Sequence, residues 1–250
     1  MDASWLVPEW PAPPNVRAVC TTREGGVSLG RYESLNLGDH VGDEPAHVAD
    51  NRNRLRASIG ARPVFLQQVH GTGVVELDAA QSIVRDGTAA DGCTATVAGL
   101  ACTIMVADCL PVLFTDEAGH RVAAAHAGWR GLAGGVLEQT ARAFDGASGV
   151  IAWLGPCIGP KAFEVGAEVK AAFEAHAPEA ASCFRTRLLL RNGAITGLMS
   201  SVSSGMVSRY RMIPAIRSGG SASGGHGTGP FWSQNGVATA SGRIVVTLIP

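Results

Sequence analysis

Two periods of apolar residues run through the first 180 positions, and they separate helices from strands. Val48, Leu55 and Ile59 share one helical face. The helix starts at Asp43-Glu44-Pro45, where Asp43 can accept from the first-turn N–H groups and Pro45 tolerates the first turn, and it stops at Gly60. Leu132, Val136, Leu137 and Phe144 predict a second helix over Gly131–Phe144. Val169 and Phe173 predict a third over Gly166–His176. Apolar runs bounded by turn residues predict strands at Arg17–Thr22, Val64–Val69, Val74–Leu77, Ala101–Val106, Pro111–Thr115, His120–Ala125, Gly149–Leu154 and Ile244–Ile249. Hairpins and helices mix without regular βα alternation. The fold class is therefore α+β: a single domain over 1–250, built on a mixed, largely antiparallel sheet with packed helices.

The pattern fades after residue 186. Residues 199–208 carry Met, Ser and Val without a clean period, and residues 218–229 are a Gly/Ser run. Charge marks the same division. All 21 acidic residues lie in 1–179 with 13 basic ones, whereas 180–250 holds seven basic residues and no carboxylate. These late arginines are dispersed and no recognition motif accompanies them, so no nucleic-acid partner is expected. At 46% hydrophobic, 16% charged residues and a mean hydropathy of +0.16, the chain is not a disordered polymer. No leader pattern opens it, and no apolar run reaches the ~20 residues of a membrane span. Cytoplasmic residence without a membrane partner is the expectation. The six cysteines form no Cys-x-x-Cys pair and read as reduced thiols.

Three segments carry metal-type or nucleophilic side chains among small residues: Gln67–Gly71, Ala107–Pro111 and Ala125–Gly131. If Asp116–Gly119 is the hairpin turn, Thr115 opposes His120 and Cys109 opposes His126. Opposed Cβ atoms lie ~4.5–5.5 Å apart, which suits two ligands of one metal or a Cys–His catalytic pair. His70, at the end of another predicted strand, is the natural third ligand. Two His and one Cys leave a coordination position open, as a catalytic zinc requires, and bound zinc lowers the pKa of water to ~7. Copper accepts the same donors. Arg130 follows at a Gly-rich helix start suited to an anion such as phosphate. Asp91 and Asp108 could orient a ligand imidazole or exchange protons, and Asn36 could meet substrate. Cys20, Cys93, Cys102, Cys157 and Cys183 read as packed thiols.

Several motifs in order resemble one family. They include Thr21-Thr22-Arg23-Glu24-Gly25-Gly26-Val27-Ser28, Ser34-Leu35-Asn36-Leu37-Gly38, Asn51-Arg52 and Gln68-Val69-His70-Gly71. Ala90-Asp91-Gly92, Ala107-Asp108-Cys109-Leu110-Pro111, Ala125-His126-Ala127-Gly128-Trp129-Arg130-Gly131 and Gly155–Gly166 complete the set. The chain is similar to the YfiH-type laccase-domain family, variously called polyphenol oxidase, purine nucleoside phosphorylase or peptidoglycan editing factor. The resemblance runs from about Arg17 to Glu168. It implies zinc on His70, Cys109 and His126. It also implies phosphorolysis of adenosine, inosine and methylthioadenosine to base and sugar 1-phosphate, with adenosine deaminase activity.

On that reading Cys109, His126 and Asp108 are catalytic, Asn36, Arg52, Asp91 and Arg130 bind substrate, and Arg130, Arg52 or Arg23 clamps phosphate. The partners expected are a purine nucleoside and phosphate. Two rivals use the same residues: a cysteine hydrolase that edits peptidoglycan precursors, with Cys109 as nucleophile and His126 as its base, and a copper polyphenol oxidase. Residues 187–228 depart from the family pattern, and a reading-frame slip there is one expectation. Codons for Gly193–Thr196 read one base earlier can encode Trp-Arg-Tyr-His. The departure bears on activity more than on fold.

Overall fold

The computed structural model describes residues 4–77, 86–147, 149–160, 162–188, 195–199 and 244–249. The chain divides into two compact units. The first comprises residues 1–157, 210–215 and 239–250; the second comprises 158–209 and 216–238.

In the first unit, β1 (Arg17–Cys20) leads to helix α1 (Pro45–Ile59), then β2 (Arg62–Phe65), β3 (Val74–Leu77), β4 (Gly92–Ala95), β5 (Leu100–Val106), β6 (Leu110–Asp116) and β7 (Val122–Ala127). Helices α2 (Trp129–Gly134) and α3 (Val136–Ala141) and strand β8 (Val150–Leu154) follow. The second unit contains β9 (Glu164–Val165), α4 (Ala167–Glu174), β10 (Phe184–Leu188) and β11 (Ile195–Met199). These strands form one antiparallel sheet in the order β10-β11-β9. The last strand, β12 (Ile244–Ile249), returns to the first unit.

Among the described residues the strands of the first unit form two sheets: β1-β12-β5-β2, and β3-β4-β7-β6-β8. Most pairings are antiparallel; β2/β5 and β3/β4 are parallel. The period-two pattern of β5 shows how the layers form. Cys102, Ile104 and Val106 face a core shared with Cys93 and Ala95 of β4, Val122 and Ala124 of β7, Leu113 of β6 and Trp153 of β8. Ala101 and Met105 face the opposite way, onto Leu55 and Ile59 of α1. A strand covered on both faces needs apolar residues at every position, and all seven residues of β5 are buried. The α+β expectation, with its largely antiparallel sheet, is met.

Local departures have physical causes. The predicted helix over Gly131–Phe144 is instead α2, α3 and a 3-10 turn, broken at Gly135, whose φ of 92° ends one helix and starts the next. The predicted strand Val64–Val69 stops at Phe65, because residues 67–71 turn away into the loop that carries His70. Glu44, rather than Asp43, is the N-cap of α1, and no side chain caps it. The Asp43 carboxylate instead accepts from Ser28 Oγ (2.6 Å) and Asn36 Nδ2 (2.8 Å). Strand β4, Gly-Cys-Thr-Ala, carries no alternation and was not legible. The Gly/Ser run 218–229, most of 199–208 and most of 187–228 lie outside the described residues, as does the greater part of the proposed frame slip.

Candidate metal centre

The β6–β7 hairpin pairs in a register two residues from the expected one. Pro111, not Cys109, opposes His126, and Thr115 opposes Val122. The loop is longer than four residues because His120 N–H turns back onto the Asp116 side chain, and the strand resumes only at Val122. A two-residue slip keeps every side chain on its face, so Cys109 still shares the side of His126. Carried outward, the pairing sets Cys109 opposite Gly128. A Cβ built on Gly128 would stand 3.2 Å from Cys109 Sγ and 2.5 Å from His70 Cδ2. The missing side chain is therefore the space that His70 occupies.

His70, Cys109 and His126 bring one donor atom each to within 4.8 Å of one another. His70 Nε2 lies 3.8 Å from Cys109 Sγ, and the two imidazoles meet edge to face at 4.7 Å between centroids. The three differ in exposure: His126 is buried, Cys109 half-buried and His70 exposed. This is a centre closed on the protein side and open to solvent at His70. The donor set fits a transition metal with a vacant position, as three-ligand catalytic sites require.

Asp91 organises two of the three candidate ligands. Cross-strand register sets it opposite His126, whose N–H bonds the Asp91 carbonyl at 2.7 Å. Asp91 Oδ1 accepts from His126 Nδ1 (2.8 Å) and from the His70 N–H (2.9 Å). Asp91 Oδ2 accepts from the Gly71 N–H (2.7 Å) and the Val69 N–H (3.2 Å). Three consecutive amides converging on one carboxylate form an anion nest. The nest also accounts for the φ of +59° at His70, a conformation disfavoured for a residue with a side chain. Burial pushes the Asp91 carboxyl upward, but bonds from His126, Gly71 and His70 outweigh it and hold the group below its usual value. An ionised carboxylate can only accept, so His126 Nδ1 carries the hydrogen and Nε2 keeps its lone pair for a metal.

Gln68 supplies a second tether that the sequence did not reveal. Its Nε2 donates to the Met105 carbonyl (2.7 Å) and its Oε1 accepts the Met105 N–H (2.8 Å). The amide thus takes the place of a strand neighbour at the end of β5, and it pins the His70 loop to the segment that leads to Cys109.

The other expected residues fall into two groups. Asp108 is exposed beside Cys109. Arg130 is exposed, stacks 4.4 Å over the Trp129 ring and has no hydrogen bond or ion pair among the described residues. The helix it starts is only six residues long. Asn36, Arg52 and Arg23 are committed elsewhere. Asn36 is fully buried and bonded to Gly38 and Asp43. Arg52 donates to Leu37 O, pairs with Asp39 at 3.2 Å and lies 4.0 Å over Phe65. Arg23 donates to the Glu33 and Arg31 carbonyls. Of the thiols read as packed, Cys20, Cys93 and Cys102 are buried and Cys183 is half-buried. Cys157 is exposed, because it lies past the end of β8.

No helix among the described residues is long and apolar enough to cross a membrane. Residues 17–200 match the family model described as multi-copper polyphenol oxidoreductase laccase. Among curated relatives, a purine nucleoside phosphorylase of Pseudomonas aeruginosa is 55% identical over 183 residues, which is 72% of this chain and 73% of that protein. The purine nucleoside phosphorylase YfiH of Escherichia coli is 51% identical over 182 residues, 72% of this chain and 74% of its own. A crystal structure of a Neisseria meningitidis protein superposes with a TM-score of 0.78 at 36% identity, covering 98% of both chains. With its motifs, its fold and these relatives in agreement, the chain belongs to the YfiH-type laccase-domain family.

Proposed function

We propose that the protein is a metal-dependent purine nucleoside phosphorylase, acting on adenosine, inosine and methylthioadenosine, with adenosine deaminase activity. The observation that carries this is the solvent-facing His70–Cys109–His126 cluster with a carboxylate-oriented imidazole, in a chain whose relatives are named purine nucleoside phosphorylase. We take the metal as zinc, with copper, which accepts the same donors, as the alternative. A metal bound there supplies Lewis acidity at the open side of the cluster.

The chain's own residues supply the rest. Asp91 fixes the tautomer of His126 and the path of the His70 loop. In phosphorolysis the bond from sugar C1′ to the base nitrogen breaks, a phosphate oxygen bonds to C1′, and the base leaves with a proton. Arg130 is the candidate for the phosphate clamp, because its guanidinium has no hydrogen bond or ion pair among the described residues, whereas Arg52 and Arg23 donate to backbone carbonyls. Asp108 is the candidate for proton exchange with the purine. Val69, 55% exposed next to His70, offers an apolar surface to the base.

The test is incubation with adenosine and inorganic phosphate, with products separated by chromatography. Adenine with ribose 1-phosphate, inosine as a second product, and loss of both on metal chelation support the reading. Metal-independent amide hydrolysis that stops when Cys109 is alkylated would overturn it in favour of a cysteine hydrolase.

A further inference from the structure

We propose that Cys157 is a resolving thiol for the metal centre, forming a reversible disulfide with the ligand Cys109 when the metal is absent. The proposal rests on the metal-centre reading of His70, Cys109 and His126, and not on the nucleoside chemistry.

Strand register carries the argument. β6 and β8 pair so that Val112 opposes Leu154 and Leu113 opposes Trp153. The pairing continues one residue past the strand, where Gly155 N–H donates to Pro111 O at 2.8 Å. A Cβ built on Gly155 would stand 2.7 Å from Pro111 Cγ, so the two residues point to the same side. Gly155 precedes Pro156, and both positions favour extended backbone, so the chain runs on in the same direction. Carried two residues beyond that bond, the same register would bring Cys157 opposite Cys109. The same two-residue extension on the other side of Cys109 lands on Gly128, and there the contact is observed. Gly128, Cys109 and Cys157 therefore form the row just outside His126, Pro111 and Gly155.

The chemistry agrees with this placement. Positions opposed in this way have Cα atoms ~5.5 Å apart, inside the range a disulfide spans. Cys157 feels the Asp108 carboxylate: partial desolvation raises its thiol, and the neighbouring charge raises it further. That places the sulfur near the residue that precedes Cys109. Both thiols can meet an oxidant, since Cys157 is exposed and Cys109 half-buried, while Cys20, Cys93 and Cys102 are shut in the core. Cys109 is the sulfur whose oxidation removes a metal ligand, and Cys157, set beside it by the register, is the thiol that resolves it.

With hydrogen peroxide as the oxidant, Cys109 sulfur attacks one peroxide oxygen. The O–O bond breaks, giving a sulfenic acid and a hydroxide that takes the Cys109 proton as water. Cys157 sulfur then attacks Cys109 sulfur. The S–S bond forms, the S–O bond breaks, and the departing hydroxide takes the Cys157 proton as water. Two thiols lose two electrons, and peroxide gains them. The product lacks one metal ligand, so oxidation locks the centre out of metal uptake until a thiol reductant reopens it.

The experiment treats the full chain, stripped of metal by a chelator, with one equivalent of hydrogen peroxide. Thiols are counted under denaturing conditions, cross-links are assigned by fragmentation mass spectrometry, and zinc uptake is titrated before and after reductant. Two of the six thiols should vanish together as a Cys109–Cys157 link, zinc uptake should be lost, and reductant should restore it. In Cys157→Ser, given a second equivalent of peroxide to oxidise the unresolved sulfenic acid, Cys109 should pass to the sulfinic acid and uptake should stay lost. The proposal is overturned if Cys109 and Cys157 do not cross-link, or if Cys157→Ser recovers zinc uptake as the parent does. Failure of untreated, stripped protein to take up zinc would instead sink the metal-centre reading itself.

Discussion

Replacing Asp91 by Asn separates orientation of the centre from folding of the chain. The Asn oxygen can stand in for Oδ1 and keep the bonds from His126 Nδ1 and the His70 N–H. The amide nitrogen then replaces Oδ2 and faces the Gly71 and Val69 N–H groups, donor against donor. Val69 is exposed and its amide can turn to water, so its loss costs little; Gly71 is half-buried and loses a charge-assisted bond. His126 is 3% exposed, and weakening its bond from a carboxylate to an amide forfeits part of the ~1.5–3 kcal/mol of a charged hydrogen bond. The sum is ~2–4 kcal/mol, concentrated in the His70 loop, which no longer has a reason to hold a φ of +59°. Metal affinity should fall ~10–100-fold, as for other partners of ligand imidazoles. Zinc affinity by competition with a chromogenic chelator, beside urea unfolding of the metal-free proteins, reads both effects. The reasoning fails if Asp91→Asn binds zinc within about twofold of the parent while the metal-free stabilities differ by less than ~0.5 kcal/mol.

Other perturbations follow from the same geometry. Gln68→Leu strands the Met105 N–H and C=O and should destabilise the fold by ~2–4 kcal/mol in urea unfolding while weakening zinc binding; unchanged zinc affinity would show that the tether does not reach the ligands. Gly128→Ala puts a methyl group 2.5 Å from His70 Cδ2 and should cost metal affinity far more than stability, checked by zinc titration and thermal unfolding. Burial raises the Asp43 carboxyl, but bonds from Asn36, Ser28 and the Glu44 N–H outweigh it and lower the group below its usual value. The stability it contributes is therefore complete above the unfolded value of ~3.9 and disappears as pH falls through the lower folded value. Urea midpoints of the parent and Asp43→Asn should differ at neutral pH and converge in acid, and a difference that grows in acid would contradict this.

The proximity of Cys109 and His126 was legible because hairpin arithmetic tolerates error. Cys109 and His126 stayed on one face although the register was off by two, since only an odd slip reverses a side chain. His70 was harder, because its loop is held by Asp91 and Gln68 through contacts 20 to 37 residues apart in sequence, and no local pattern encodes them. Strand β4 escaped notice because Gly92–Ala95 is small and buried on both faces, so it shows neither period. The contacts of Asn36 and Arg52 were not legible, because amides and guanidiniums serve inside a loop as readily as at a site. Only their partners, such as Asp43 and Asp39, tell the two roles apart.

The central claim is that the His70–Cys109–His126 centre carries phosphorolysis. It is tested most directly by restoring zinc in steps to chelator-treated protein while measuring phosphate-dependent release of adenine from adenosine. The account predicts a rate that climbs linearly and breaks at one metal per chain, with Cys109→Ser flat throughout. A rate independent of added metal, or adenine release that does not require phosphate, would contradict it.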